Sequence, residues 1–250
     1  MRRSAIRALA LASLAAVLSA ARGHCQELPG PADRVLEKAD AVLASSGSSY
    51  ELRLKVAVAG GRDLVYRLRN YVKDSFAQRA NFLEPEFDKG DAAIRRGDIA
   101  YFKDAAWPKY DAMNARSNFM DSAFSWEDAL CPALSGSYEL AGIAWEVSSG
   151  ERLLRCALRP LGSGAYRRID LWLRPGNYQT VKRVYYSPSG REWKTASYGG
   201  YVMEGGVAAA WEMTMADEST MATATISVSG RQAMHMPDSY FEPTNGTKEK

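Results

Sequence analysis

The sequence predicts a mainly β fold with helices (α+β): one large curled antiparallel sheet, a barrel or half-barrel, entered through a single substantial helix. Three observations carry this. From about residue 50 to residue 230, apolar and polar residues alternate with a period of two in run after run. Short turns rich in Gly, Ser and Asn separate these runs at even spacing, which favours hairpins over helical crossovers. A clear helical period of useful length occurs once, just before the first alternating run. No internal repeat is present.

The first 23 residues read as a secretory signal. Arg2 and Arg3 precede Ala5 to Ala21, a nearly continuous Ala, Leu, Ile, Val and Ser stretch broken by Arg7, and Ala20, Ala21 and Gly23 suit a signal peptidase. The run is short for a bilayer span, which needs roughly 20 apolar residues; an uncleaved anchor is the alternative. Cys25 leaves a lipid anchor open, although His24 and Arg22 make a poor processing site. Removing residues 1–23 takes four arginines and no acid from 32 basic and 29 acidic residues, leaving 28 against 29, or net −1. The basicity belongs to the signal, and nothing argues for nucleic acid. Residues 24–32 form a spacer, 33–243 a single domain large enough for one core, and 244–250 a flexible tail.

In chain order, Val35, Leu36, Ala39, Val42 and Leu43 line one helical stripe, with Asp33, Arg34, Glu37, Lys38 and Asp40 on the other face and Ser45-Ser46-Gly47 as the stop. Leu52, Leu54, Val56 and Val58 then alternate with Glu51, Arg53, Lys55 and Ala57; Gly60-Gly61 turns the chain into Leu64, Tyr66 and Leu68. Phe76 to Phe82 predicts a third strand stopped by Pro85, and Gly97-Asp98 a turn between 92–94 and 99–102. Ser125 to Leu130 predicts a short helix capped by Ser125, with Glu127 and Asp128 in its first turn. Strands follow at 138–147, 151–158, 166–173, 179–186, 192–198, 208–215 and 221–228, for ten or more in all.

The catalytic inventory is sparse. The histidines are His24 and His235, so no histidine cluster exists to hold a metal. No G-x-S-x-G, S-x-x-K, P-loop or Rossmann glycine pattern occurs. Glu127-Asp128 reads as capping rather than as an acid pair. No enzyme and no cofactor is expected. Cys131 and Cys156 would gain roughly 3 kcal/mol from pairing in an oxidising compartment; two separate buried thiols are the alternative.

A set of ordered motifs adds to this. Phe82-Leu83-Glu84-Pro85, Lys89-Gly90, Gly97-Asp98-Ile99-Ala100-Tyr101-Phe102 and Phe124-Ser125-Trp126-Glu127-Asp128-Ala129-Leu130 come in succession. Cys156-Ala157-Leu158-Arg159-Pro160, Leu171-Trp172-Leu173 with Tyr178, Tyr185-Tyr186-Ser187-Pro188-Ser189-Gly190-Arg191 and Asp238-Ser239-Tyr240-Phe241 follow. Together, from residue 33 to 243, they resemble the LolA-like outer-membrane lipoprotein-sorting family. Departures are the missing Trp near Ala100, the late Trp107-Pro108 and the shifted Asp121. The resemblance implies an incomplete antiparallel half-barrel lidded by the N-terminal helix and the short central helix. It also implies a periplasmic carrier of lipid or lipoprotein acyl chains, some relatives working beside RND-type exporters of the inner membrane. A monomer is expected.

By strand parity the candidate lipid-binding residues are Leu52, Leu54, Val56, Leu64, Tyr66, Leu68, Phe76, Trp211, Met213 and Met215. Methionine suits a wall that repacks around varied guests; an ordinary β-core with Met as filler fits the same pattern. Leu54→Glu or Met213→Glu is expected to weaken lipid binding without unfolding. Two other classes stay open: a non-enzymatic envelope module with a filled barrel, and a hydrolase, which needs a buried carboxylate pair.

Overall fold

The computed structural model describes residues 34–43, 46–58, 61–74, 76–97, 99–107, 109–114, 116–130, 133–162 and 165–244, all within the compact unit Ala32–Lys250. The signal segment, Cys25, Cys131, the turn residues Gly60 and Asp98, and positions 245–250 of the tail lie outside the described residues.

Helix α1 (Val35–Leu43) leads into strand β1 (Ser48–Val56). Next come β2 (Leu64–Asp74), β3 (Ala77–Glu84), β4 (Ala92–Arg96), β5 (Ile99–Lys103) and β6 (Asp111–Met113). A short helix α2 (Trp126–Leu130) precedes β7 (Tyr138–Ser148), β8 (Glu151–Pro160), β9 (Arg168–Leu173) and β10 (Thr180–Tyr186). Then β11 (Glu192–Glu204), β12 (Val207–Asp217) and β13 (Ala222–Ala233) complete one sheet. It has 13 strands in the order β6-β5-β4-β3-β2-β1-β13-β12-β11-β10-β9-β8-β7, every neighbour antiparallel. The sheet does not close. Its free edges are β6 and β7, and the chain from 114 to 137 must travel between them.

The turns are built by local chemistry. Ser149 and Gly150 both take positive φ between the paired Ser148 and Glu151, the two-residue turn that matches strand twist. Gly200, at φ 61, sits where the β11–β12 register shifts between Gly199 and Val202. An extra residue in one strand bends it, and glycine takes the left-handed backbone without strain. Further register shifts in β7 and β10 bend the second half of the sheet in the same way.

β13 runs to Ala233 rather than 228, β6 is a strand beyond those predicted, and two further spans need correction. Phe76 precedes β3 rather than belonging to it. Asp74 Oδ1 accepts the N–H groups of Phe76 and Ala77 at 2.7 and 2.8 Å, an Asx turn that delays the strand, and the Phe76 ring lies against Gly136. β11 runs past Tyr198 to Glu204, because Gly199-Gly200 marks a bulge rather than a break.

The inner face is one continuous surface. A single register row crosses it as Leu64, Val56, Ala224, Met215, Ala196, Arg183, Leu171, Cys156 and Ile143. α1 packs on β12, and the α2 segment packs on β3. On the outer face, Tyr240 of the C-terminal segment stacks edge-on to Tyr71 at 5.1 Å. Asn81 Nδ2 donates to the Tyr240 hydroxyl at 3.0 Å, which holds the end of the chain to β2 and β3.

Candidate functional site

The site is the concave face with its two lids. α1 turns Val35, Leu36, Ala39, Val42 and Leu43 into the protein, as the helical stripe predicts. At its end, the Arg231 guanidinium donates to the Leu43 carbonyl, which satisfies one orphan acceptor of the last turn. α2 begins with a reciprocal box. Asp128 N–H donates to Ser125 Oγ at 3.1 Å, and Ser125 N–H donates to Asp128 Oδ2 at 3.0 Å. The Ser125 cap therefore stands as predicted, and Asp128 spends its carboxylate on the same box.

An aromatic chain pins the α2 segment to the first half of the sheet. The Phe119 ring meets Trp126 at 4.8 Å and Phe82 at 6.2 Å, and Phe102 meets Trp126 at 5.6 Å.

Eight of the ten residues predicted to line the wall share this concave face: Leu52, Leu54, Val56, Tyr66, Leu68, Trp211, Met213 and Met215, all 0–7 % exposed. Cross-strand register joins them directly, with Leu52 opposite Leu68 and Val228, and Met213 opposite Ile226 and Tyr198. Leu64 has the right parity but lies at the strand end, 42 % exposed. Phe76 is 46 % exposed in its turn and does not join the set. Because Leu54 and Met213 are fully covered, a glutamate at either would bury a charge, which costs several kcal/mol. The expectation that Leu54→Glu or Met213→Glu leaves the fold intact is thus corrected.

The second half of the face is not purely apolar, contrary to a simple inside–outside alternation. Asp40, assigned by periodicity to the outer side of α1, is buried. Its carboxylate accepts N–H groups from Leu134 at 2.9 Å and Ser135 at 2.6 Å. This clasp ties α1 to the chain just after α2. Burial raises the Asp40 pKa above the usual carboxylate value, against the opposing pull of the Ser135 and Leu134 hydrogen bonds and of Arg183. Burial also disfavours charge on Arg183, but Tyr198, Tyr185 and Asp40 outweigh it and hold the guanidinium charged. Tyr166 donates to Asp128 Oδ2 at 2.6 Å. Lys194, fully buried, places Nζ 3.9 Å from the same oxygen.

Sequence reasoning missed this polar set. An isolated Arg or Lys within an alternating strand gives no signal until register shows which neighbours it meets. Cys156 is a free buried thiol on β8, its pKa pushed up to about 12 by burial.

Among the described residues, no group of three or more His, Cys, Asp or Glu is placed to hold a metal. No helix there is long and apolar enough to cross a membrane. A separate cleft of about 430 Å³ opens between the 187–191 loop and the 218–219 turn.

An open antiparallel half-barrel with its concave face under short helices defines the LolA-like fold, and solved structures bear this out. The chain belongs to a family whose description reads "Uncharacterized protein" and whose model matches residues 79–245. A LolA superfamily protein from Nitrosomonas europaea superposes with a TM-score of 0.77 at 20 % identity, over 85 % of this chain and 98 % of that one. A domain described as an outer membrane lipoprotein-sorting protein from Vibrio parahaemolyticus gives 0.70 at 16 % identity, over 83 % and 94 %. A DUF1329 family protein from Desulfovibrio piger gives 0.69 at 20 % identity, over 83 % and 94 %. No curated protein matches the sequence.

Proposed function

We propose that this chain is a periplasmic carrier of lipids or lipoproteins. It would hold acyl chains on the concave face and exchange them with membranes, an RND-type inner-membrane exporter being one donor. The role is transport, without catalysis. The observation that carries the reading is how the apolar face is covered. Short separable pieces do it, α1 and the α2 segment, rather than a second sheet. Such pieces can leave while the sheet keeps its own hydrogen bonds.

The energetics favour exchange. Each CH₂ moved out of water contributes about 0.8 kcal/mol, so a sixteen-carbon chain represents on the order of 12 kcal/mol. An acyl chain that replaces the apolar stripe of α1 against Trp211, Met213 and Met215 trades one buried surface for another. Net affinity is then moderate, which release requires. Methionines at 213 and 215 suit a wall that must fit two different covers. The Vibrio parahaemolyticus domain, an outer membrane lipoprotein-sorting protein with this fold, supports the reading.

A second reading has its own observation. Leu54, Met213 and Met215, at 0–1 % exposure, are fully covered by the protein itself. That favours a non-enzymatic envelope module with no cargo. Mass spectrometry of the protein purified from its native envelope separates the two. The carrier reading expects acyl-containing compounds to copurify and a fluorescent fatty acid to bind at about one per chain. No copurifying lipid together with no binding of the fatty acid leaves the filled module.

A further inference from the structure

We infer that the cleft beside Trp193 is a binding site for a small zwitterion carrying both a phosphate and an amine, the chemistry of an aminophospholipid head group. Its walls come from two neighbouring hairpin tips at the same end of the sheet, with the start of β11 between them. Its volume, about 430 Å³, suits a head group or a compact metabolite rather than a protein segment.

The lining carries both signs of charge, Arg191 against the carboxylates of Glu192 and Glu218. Arg191 comes from the β10–β11 tip and Glu218 from the β12–β13 tip. Neither enters an ion pair among the described residues. Ser187, Ser189 and Ser219 complete the lining, the Ser187 and Ser189 hydroxyls hydrogen-bonded to each other at 2.8 Å. The Trp193 indole is fixed in this wall: Nε1 donates to Ser219 Oγ at 3.1 Å, and Ser219 Oγ donates to Asp217 Oδ1 at 2.6 Å.

Behind the ring, Lys194 Nζ lies 5.1 Å from the indole centroid. It is fully buried and has no hydrogen-bond partner among the described residues. Its counter-charge is the Asp128 carboxylate, 3.9 Å away on the concave face. A phosphate would rest on Arg191, the cation of the cleft lining. Glu192 and Glu218 supply carboxylates for the amine. A ligand with one charge would face an unmatched partner of its own sign; a zwitterion satisfies both.

A lipid as the source rests on the carrier reading; the cleft chemistry does not. Calorimetric titration of the full chain with glycerophosphoethanolamine, glycerophosphoglycerol and ethanolamine tests the chemistry. The zwitterion should bind at least about tenfold more tightly than either single-charge compound, as expected for one extra charge-assisted contact. Arg191→Ala and Glu218→Ala, both on exposed side chains, should each remove that advantage while leaving fluorescent fatty-acid binding unchanged. Equal affinity for all three compounds, or variants that bind the zwitterion like the parent, overturns the assignment. Fatty-acid binding in that case leaves the carrier reading standing. Flotation with vesicles of phosphatidylethanolamine and phosphatidylglycerol, against phosphatidylglycerol alone, identifies the source. Capture that needs phosphatidylethanolamine supports a head group, and binding of the soluble compound alone supports a free metabolite of the same chemistry.

Discussion

At the scale of single residues, the most informative side chain is Asp40. Three acceptor contacts from one carboxylate hold two consecutive backbone N–H groups, 94 and 95 positions away in the chain. The raised pKa sets a sign for pH dependence. The folded state keeps the Asp40 proton to higher pH than the unfolded chain does. Its contribution is therefore fully present below the unfolded value and is lost as pH rises through the folded one. Asp40→Asn cannot titrate and should lack this slope. Urea unfolding from pH 4 upward should show the parent losing stability relative to Asp40→Asn as pH rises. Parallel curves would mean that Asp40 is ionised in both states. The sequence placed Asp40 on the solvent side because a helix stripe is read from its apolar members. A carboxylate at the border of that stripe turns inward only when another segment presents unpaired N–H groups, and helical periodicity does not record that.

At the scale of elements, α2 is only Trp126–Leu130, so its own backbone hydrogen bonds cannot sustain it. The capping box and the aromatic contacts must do so. Ser125→Ala removes both the acceptor for Asp128 N–H and a hydroxyl donor to the Asp128 carboxylate. It should cost about 1–2 kcal/mol, seen as a lower urea midpoint with an unchanged slope. The element was legible in the sequence because Ser125 and Asp128 stand three residues apart before an apolar pair. Other elements were legible for similar local reasons. Leu52, Leu54, Tyr66 and Leu68 alternate cleanly, and the structure pairs Leu52 with Leu68 and Leu54 with Tyr66. Phe76 was misread because the Asx turn at Asp74 interrupts the period by one position. The far half of β11 was misread because two glycines look alike in a turn and in a bulge.

At the scale of the whole molecule, a wide sheet and two small covers should differ in how readily they open. Nearly every sheet strand is paired on both sides, whereas α1 and α2 depend on side-chain contacts, one clasp and two caps. Amide hydrogen exchange should therefore release α1 and residues 119–130 well before β1, β12 and β13, at a free energy below that of global unfolding. Uniform exchange across covers and sheet would remove the physical basis for cargo exchange. The architecture as a whole was readable from even strand spacing and the lone helix, together with the ordered motifs that resemble the LolA-like family. The mixed character of the concave face was not. Arg183 and Lys194 become neighbours of Asp40 and Asp128 only through pairings that span much of the chain.

The strand made last among the thirteen, β13, lies between β1 and β12 in the middle of the sheet. A chain emerging N-terminus first therefore has β1 ready long before its lasting partner exists. Until Val228 arrives opposite Leu52, one flank of β1 is a bare row of amides beside an uncovered greasy surface. Such an intermediate invites pairing with other chains, and distant contacts of this kind form slowly. This protein should thus depend on a holding chaperone during biogenesis more than its finished form suggests.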